Sequence, residues 1–211
     1  MATLEYILAK KQIKPLHRAL VWGGRVRRLS QLLGFLLPSE GLLTGLDIGC
    51  GNGEIAKNVE ESCKNIEIIG IDVLVRKGAH IDVIGFDGKK LPFEDKSFDF
   101  TMLVDVLHHT DDPAGLMREC KRVSRKFVLL KDHICESWWD RKRLRFMDWV
   151  GNRAYDVKLQ YNFLSRDNWS KLFKESNLAC EDISYKLNLY LPPFSLLFDS
   201  NLHFLARLVP L

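Results

Sequence analysis

A chain of 211 residues with 46% hydrophobic and 27% charged side chains is large enough for one well-buried core and needs no second one. Its net charge of +4 is mild, and its five cysteines (Cys50, Cys63, Cys120, Cys135 and Cys180), odd in number and without a C-x-x-C pair, indicate neither a disulfide framework nor a metal site. That cysteine usage, a start lacking the pattern of a signal peptide and the absence of any apolar run long enough to span a bilayer predict a cytoplasmic protein without a transmembrane segment.

Residues 1–40 read as an N-terminal helical cap on a main domain spanning 41–211. Leu16, Leu20 and Val21 recur at helical spacing, Gly23-Gly24 breaks the run, and a second helical segment stops at Pro38. The positive charge is concentrated here, where Lys10, Lys11, Lys14, Arg18, Arg25, Arg27 and Arg28 face only Glu5, and again at Arg141, Lys142, Arg143 and Arg145. Such clusters are either solvated helix faces or points of weak attraction to an anionic substrate or membrane surface.

From Gly45 onward short β-branched runs alternate with helical segments, the pattern of βαβ units and a parallel sheet covered on both faces. Strands are predicted at Gly45–Ile48, Ile66–Ile71, Asp82–Phe86, Phe98–Val104 and Lys126–Lys131. Between them lie helices at Glu54–Ser62 and Pro113–Val123 and a short turn near Leu74–Lys77. An aromatic and basic insert then runs from Glu136 to about Leu164, followed by a helix at Arg166–Ser176 that Ser165 can cap. Runs near Glu181–Leu187 and His203–Leu208 close the chain as an antiparallel hairpin.

The turn between the first strand and first helix, LDIGCGNGEI, carries glycines at every second position and invites a closely held ligand. A dinucleotide fingerprint G-x-G-x-x-G counted from Gly49 requires a third glycine at position 54, where Glu54 stands. A carboxylate at that helix N-terminus competes with a pyrophosphate for the same N–H groups. Asp47 and Glu54 instead make the pocket acidic, Asp72 ends the second strand where a carboxylate can accept from a ribose diol, and Asp87 can accept from an exocyclic amine. The set describes a nucleoside with a cationic tail and no phosphate.

At these residues the chain resembles the class I S-adenosylmethionine-dependent methyltransferases, through most of the stretch from Gly45 to about Asp132. LDIGCGNGE is similar to the family's first motif and GID to its second. FDGKKLPFEDKSFDF resembles the D-x-x-x-L-P-F-x-D-x-S-F-D pattern of the type 11, quinone-biosynthesis-like branch, and VDVLHHTDDP its fourth-strand segment. The resemblance implies a Rossmann-like α/β fold: a seven-stranded mixed sheet, its last strand antiparallel, with helices on both faces, the N-terminal cap and the insert after strand five. It also implies S-adenosylmethionine as cofactor, S-adenosylhomocysteine as product, and cofactor contacts from Asp47, Gly49, Cys50, Gly51, Asp72, Asp87, Gly88, Val104, Asp105 and His109. One departure is RVSRKFVLLKDH, which lacks the branch's glycine-containing loop before the fifth strand and leaves Arg122 and Arg125 near a shortened turn at the far end of the sheet.

Methyl transfer from a sulfonium is an in-line displacement, so positioning and water exclusion dominate, and a base is needed only for a protonated acceptor. His108, His109, Asp132 and His133 fall at the ends of strands four and five, where open α/β sheets bind ligands. His133 is the first choice for a catalytic base, His109 for a pocket or catalytic residue, and His108 for a structural one. Within the insert Trp138, Asn152 and Tyr161 are candidates to line an acceptor site, alongside Trp139, Phe146, Met147, Trp149, Tyr155 and Phe163.

The expected activity is methylation of a small-molecule or lipid-linked acceptor at O, N or C. Two alternatives are a nucleic-acid methyltransferase, which the basic clusters favour but the absence of a D/N-P-P-Y-type tetrad after strand four disfavours, and a catalytically silent S-adenosylmethionine-binding module.

Overall fold

The structure, a computed structural model, describes residues 23–152, 160–199 and 201–211. The first predicted helix of the cap, with Lys10, Lys11, Lys14 and Arg18, lies outside the described residues, as does Tyr155.

The described chain runs α1 (Gly23–Phe35), β1 (Leu43–Ile48), α2 (Glu54–Ser62), β2 (Ile66–Asp72), β3 (Val83–Gly85), β4 (Phe98–Val104), α3 (Pro113–Val123), β5 (Ser124–His133), α4 (Trp138–Asn152), α5 (Arg166–Glu175), β6 (Leu178–Ser184), α6 (Phe194–Phe198) and β7 (His203–Pro210). One sheet takes all seven strands in the order β3-β2-β1-β4-β5-β7-β6. β1 to β5 pair in parallel, whereas β7 lies antiparallel between β5 and β6. This is the mixed, Rossmann-like sheet that the sequence implies.

Gly23-Gly24 opens the described part of α1, and the chain bends and turns near Leu74–Lys77, as predicted. Some boundaries move. β6 starts at Leu178, upstream of the predicted Glu181, because its register is set by pairing Leu178 with Pro210 across β7 and not by local periodicity.

Both sheet faces are covered, and β5 shows how one strand serves two cores. Phe127 and Leu129 join α1 and α2 on one face, while Val128 and Leu130 join α3 and α5 on the other. Alternation of side chains along a strand produces this division, and burial on both faces explains why β4 and β5 read as continuous apolar runs. α1 belongs to the first of these cores through Leu29 and Leu33, and Leu37 just beyond it joins them.

The shortened turn before β5 is real: α3 passes directly into the strand, and Ser124 Oγ donates to Cys120 O at 2.7 Å. Arg122 and Arg125 work at this far end. Arg122 donates to the carbonyls of Phe93 and Leu91, and Arg125 to those of Lys96 and Ser97. They tie the segment leading into β4 and leave the opposite edge free for a site. Ser165 caps α5 by accepting from Asn168 N at 3.3 Å.

Candidate active site

The C-terminal edge of the parallel strands carries two adjoining groups of side chains. At the ends of β1 and β2, Gly49, Gly51 and Gly53 all adopt left-handed φ, at 69°, 62° and 72°. At Gly49 space adds a second demand: a Cβ would stand 2.7 Å from Val106 Cγ2. The turn is pinned by Asp72, whose Oδ2 accepts from Gly51 N at 2.7 Å and whose Oδ1 accepts from Leu74 N at 2.8 Å. Those bonds fix the carboxylate while leaving acceptor capacity on each oxygen.

Asp47, at the end of β1, is almost fully buried; burial first, and the neighbouring Asp72 carboxylate second, hold its carboxyl well above the usual range. The Cys50 thiol is pushed up by burial and then by the same two acids. Asp87 is exposed, and its Oδ1 accepts from Lys89 N and Lys90 N, which keeps it below the usual carboxylate range. Gly88 follows at φ 79°.

A poorly balanced buried acid, a pinned carboxylate and a half-buried glycine turn side by side suit a cationic ligand with a diol. S-adenosylmethionine has that chemistry, so the residues fit the cofactor that the resemblance implies.

The second group lies at the ends of β4, β5 and β7. Val104 pairs with Lys131, and His133 with His203, so the register brings these side chains together. Asp105 takes a left-handed φ of 59° and its carboxylate is gripped by Arg25 from α1 and Lys131 from β5. Burial opposes its ionisation, yet Lys131 above all, with Arg25 also beside it, holds it well below the usual range. Asp105 is thus already charge-balanced. Lys131 also donates to His203 Nδ1 at 3.3 Å, which leaves the His203 proton on Nε2, where it donates to Phe198 O at 2.7 Å.

His108 is buried between two carboxylates. Its Nδ1 stands 2.7 Å from Asp132 Oδ1, and its Nε2 3.7 Å from Asp148 Oδ1. Burial opposes its charge, but Asp132 and then Asp148 outweigh burial and raise it to about 10. Two groups, His108 with His109 and Asp148, and His108 with Asp132 and His133, each bring ligand-type atoms within 4.8 Å of one another, a spacing a metal ion could use.

His133 behaves oppositely: burial and then Lys131 lower it to about 4, so it is neutral at pH 7. Its ring is enclosed by His108, Phe163 and His203, with centroids 4.7, 5.8 and 5.0 Å away. His109 is less enclosed. Its Nε2 stands 3.3 Å from Asp148 Oδ1, and its Nδ1 has no hydrogen-bond partner among the described residues.

The insert contributes one residue that sequence reasoning missed. α4 aims Asp148 inward at both histidines while Leu144, one turn earlier, is buried beside Phe163. The i, i+4 spacing of Leu144 and Asp148 was the available signal. Tyr161, at φ 57°, meets Phe163 and lies under the Arg145 guanidinium. Trp138 is 67% exposed, and its ring contacts are with Trp139 and Lys142 instead of the histidines. Asn152 ends α4 and its side chain lies outside the described ones.

Residues 46–127 match the family described as a methyltransferase domain. Over 111 residues, 46% of this chain and 40% of the relative, the sequence is 32% identical to 27-O-demethylrifamycin SV methyltransferase of Amycolatopsis mediterranei. Over 88 residues, 38% of each chain, it is 27% identical to demethylmenaquinone methyltransferase of Thermotoga maritima. The chain spans about two fifths of the length of these curated relatives. A solved SAM-dependent methyltransferase from Aquifex aeolicus shares the fold with a TM-score of 0.62 at 15% identity, over 95% of this chain and 98% of that one.

Proposed function

We propose that this chain, which carries the methyltransferase domain and the sheet of the class I S-adenosylmethionine-dependent methyltransferases, transfers a methyl group from that cofactor to a small-molecule or lipid-linked acceptor. The observation that carries the reading is the glycine turn pinned by Asp72 beside the buried Asp47. A phosphate-binding site would place N–H groups without an adjoining pair of acids.

When bound, S-adenosylmethionine supplies a methyl group made electrophilic by its sulfonium. Gly49 and Gly51 let the main chain approach the ligand, Asp72 accepts from the ribose hydroxyls, and Asp47 balances the positive charge. Asp87 and Gly88 border the adenine side, and Val104 and Asp105 form the wall towards the acceptor. Arg25 and Lys131 offset the charge of Asp105, so it shapes the site without adding negative charge to it.

For an acceptor that must lose a proton, His109 is the base the arrangement favours, with Asp148 orienting its ring. His133, the first choice from sequence, is walled in by aromatic rings and too weakly basic at about 4 to match neutral pH. Tyr161 and Asn152 remain candidates to orient the acceptor.

Titration calorimetry tests the cofactor reading through Asp47. A cation bound beside this raised carboxyl favours its ionised form, so binding should release protons and the observed heat should change with the buffer's ionisation enthalpy. Affinity should weaken as pH falls, by up to about tenfold per unit below the free-state value of Asp47. Absence of binding to S-adenosylmethionine at any pH would sink the assignment.

The acceptor reading is tested by the His109→Ala variant with a proton-bearing acceptor. Turnover should fall about 10²- to 10⁴-fold while cofactor affinity stays near wild type. An unchanged rate would remove His109 from the chemistry. The nucleic-acid alternative makes a separate prediction, a steep fall in turnover on RNA as salt is raised.

A further inference from the structure

We propose that the outer faces of α4 and α6 dock this protein on an anionic lipid surface. The feature behind this is an inverted helix. At 3.6 residues per turn, Trp138, Lys142, Arg145 and Trp149 fall along one stripe of α4, with Trp139 and Phe146 beside them. That stripe faces solvent: Trp138 is 67% exposed, Trp139 52% and Phe146 54%. The opposite face, with Leu144 and Asp148, turns inward to the histidines.

α6 extends the same surface. Phe146 stacks on Phe198 at 6.2 Å, Phe198 stacks on Phe194, and Arg143 donates to Leu197 O across the two helices. Leu191 is 80% exposed just before α6, and Leu197 is 53% exposed within it. Large apolar side chains gathered in this way mark a binding surface, because scattered exposure would be ordinary and a contiguous patch is not.

Charge selects the occupant. The two acids of α4 are both used internally, Asp140 by Arg143 and Asp148 by the histidines. Arg141, Lys142 and Arg145 stay exposed on or next to the aromatic stripe, and Lys142 Nζ sits 4.5 Å over the Trp138 ring. Lysine is depleted at the centre of protein interfaces, whereas tryptophan flanked by lysine and arginine is the composition of helices lying in a membrane interface. The basic cluster in the sequence and the apolar patch in the fold therefore point to one partner, a bilayer bearing anionic headgroups. No described helix is long and apolar enough to cross a membrane, so contact would be from one side.

The placement also has a use. α4 carries Asp148 into the histidine group and α6 offers Phe198 O to His203, so both helices cover the acceptor side of the sheet. Docking through their outer faces brings that side to the lipid, where a lipid-linked acceptor would enter. This last point rests on the proposed methyltransferase activity; the docking itself does not.

The test is co-sedimentation of the purified chain with extruded vesicles of phosphatidylcholine, with and without phosphatidylglycerol. Binding is expected to the mixed vesicles, to weaken as salt rises, and to be much lower with phosphatidylcholine alone. Arg141→Gln with Lys142→Gln should weaken it about 25-fold, at about fivefold per cation. Trp139→Ser with Leu191→Ser should weaken it at least about tenfold, since both side chains would leave the apolar phase. The variants should keep the wild-type melting temperature and the calorimetric affinity for S-adenosylmethionine, which separates failure of docking from failure of the methyltransferase reading. Absence of binding to anionic vesicles overturns the proposal. So does a concentration-dependent dimer that is abolished by Trp139→Ser with Leu191→Ser, because the patch would then cover a second copy.

Discussion

Replacing Asp132 by asparagine is expected to lower the stability of the protein by about 3–5 kcal/mol, the cost of leaving a buried charge without its partner. Asp132 is fully buried and is met by His108 Nδ1 at 2.7 Å, His133 N at 2.7 Å, Leu107 N at 3.1 Å and the His133 Nδ1 atom at 3.3 Å. The asparagine keeps the shape and loses the negative charge, so the His108 imidazolium would depend on Asp148 at 3.7 Å. His108 would then give up its proton or the turn after β4 would open.

The pH dependence has a definite sign. His108 is raised in the folded state from its ordinary 6.5 to about 10, so its contribution is complete below about 6.5 and is lost as pH rises through about 10. Asp132 is lowered: burial opposes its charge and His108 more than offsets burial, so its contribution is present above the ordinary carboxylate range and lost on acidification. The gap between wild type and Asp132→Asn should therefore be widest near pH 6 and narrow towards pH 10. Urea unfolding at several pH values measures it; a gap under about 1 kcal/mol, or one indifferent to pH, would show that the His108 proton is not held as described.

Asp72→Ala is expected to abolish detectable binding of S-adenosylmethionine, with a loss of more than about 100-fold. Two hydrogen bonds from a ribose diol to a carboxylate are together worth about 3–6 kcal/mol. The same carboxylate anchors the glycine turn through Gly51 N and Leu74 N, so its removal frees the main chain that approaches the ligand. Asp87→Ala is the informative contrast. Asp87 is exposed and accepts from Lys89 N and Lys90 N in its own turn, so its loss should weaken binding less. Calorimetry on both variants, with circular dichroism to confirm the fold, decides the matter. An Asp72→Ala affinity within fivefold of wild type would reject the nucleoside assignment.

The geometry of the proposed cofactor side was legible because its residues stand at strand ends and in one turn that the chain itself marks. Asp47 and Asp72 end strands that apolar runs announce, and the glycine turn lies between a strand and a helix whose limits, Glu54–Ser62, match the prediction. The acceptor side was not legible in the same way. Arg25 and Asp105 are 80 positions apart, and Lys131 and His203 are 72 apart; nothing local signals either contact.

α4 is the sharper lesson. An aromatic helix reads as one that buries its aromatic face, and the insert was accordingly expected to line an acceptor pocket. The fold turns Leu144 and Asp148 inward and leaves the tryptophans outside. Amphipathic periodicity identifies a stripe but not which side of the protein it faces.

By itself the sequence determined the class of sheet, most of its strands along the chain and the acidic character of the turn, because short-range periodicity and motif spacing encode them. Only the tertiary structure decided which charges cancel. It made His108 a held cation, left His133 neutral and turned Asp105 into a balanced wall, because each of these states depends on burial and on carboxylates or amines brought within a few ångströms by distant strands.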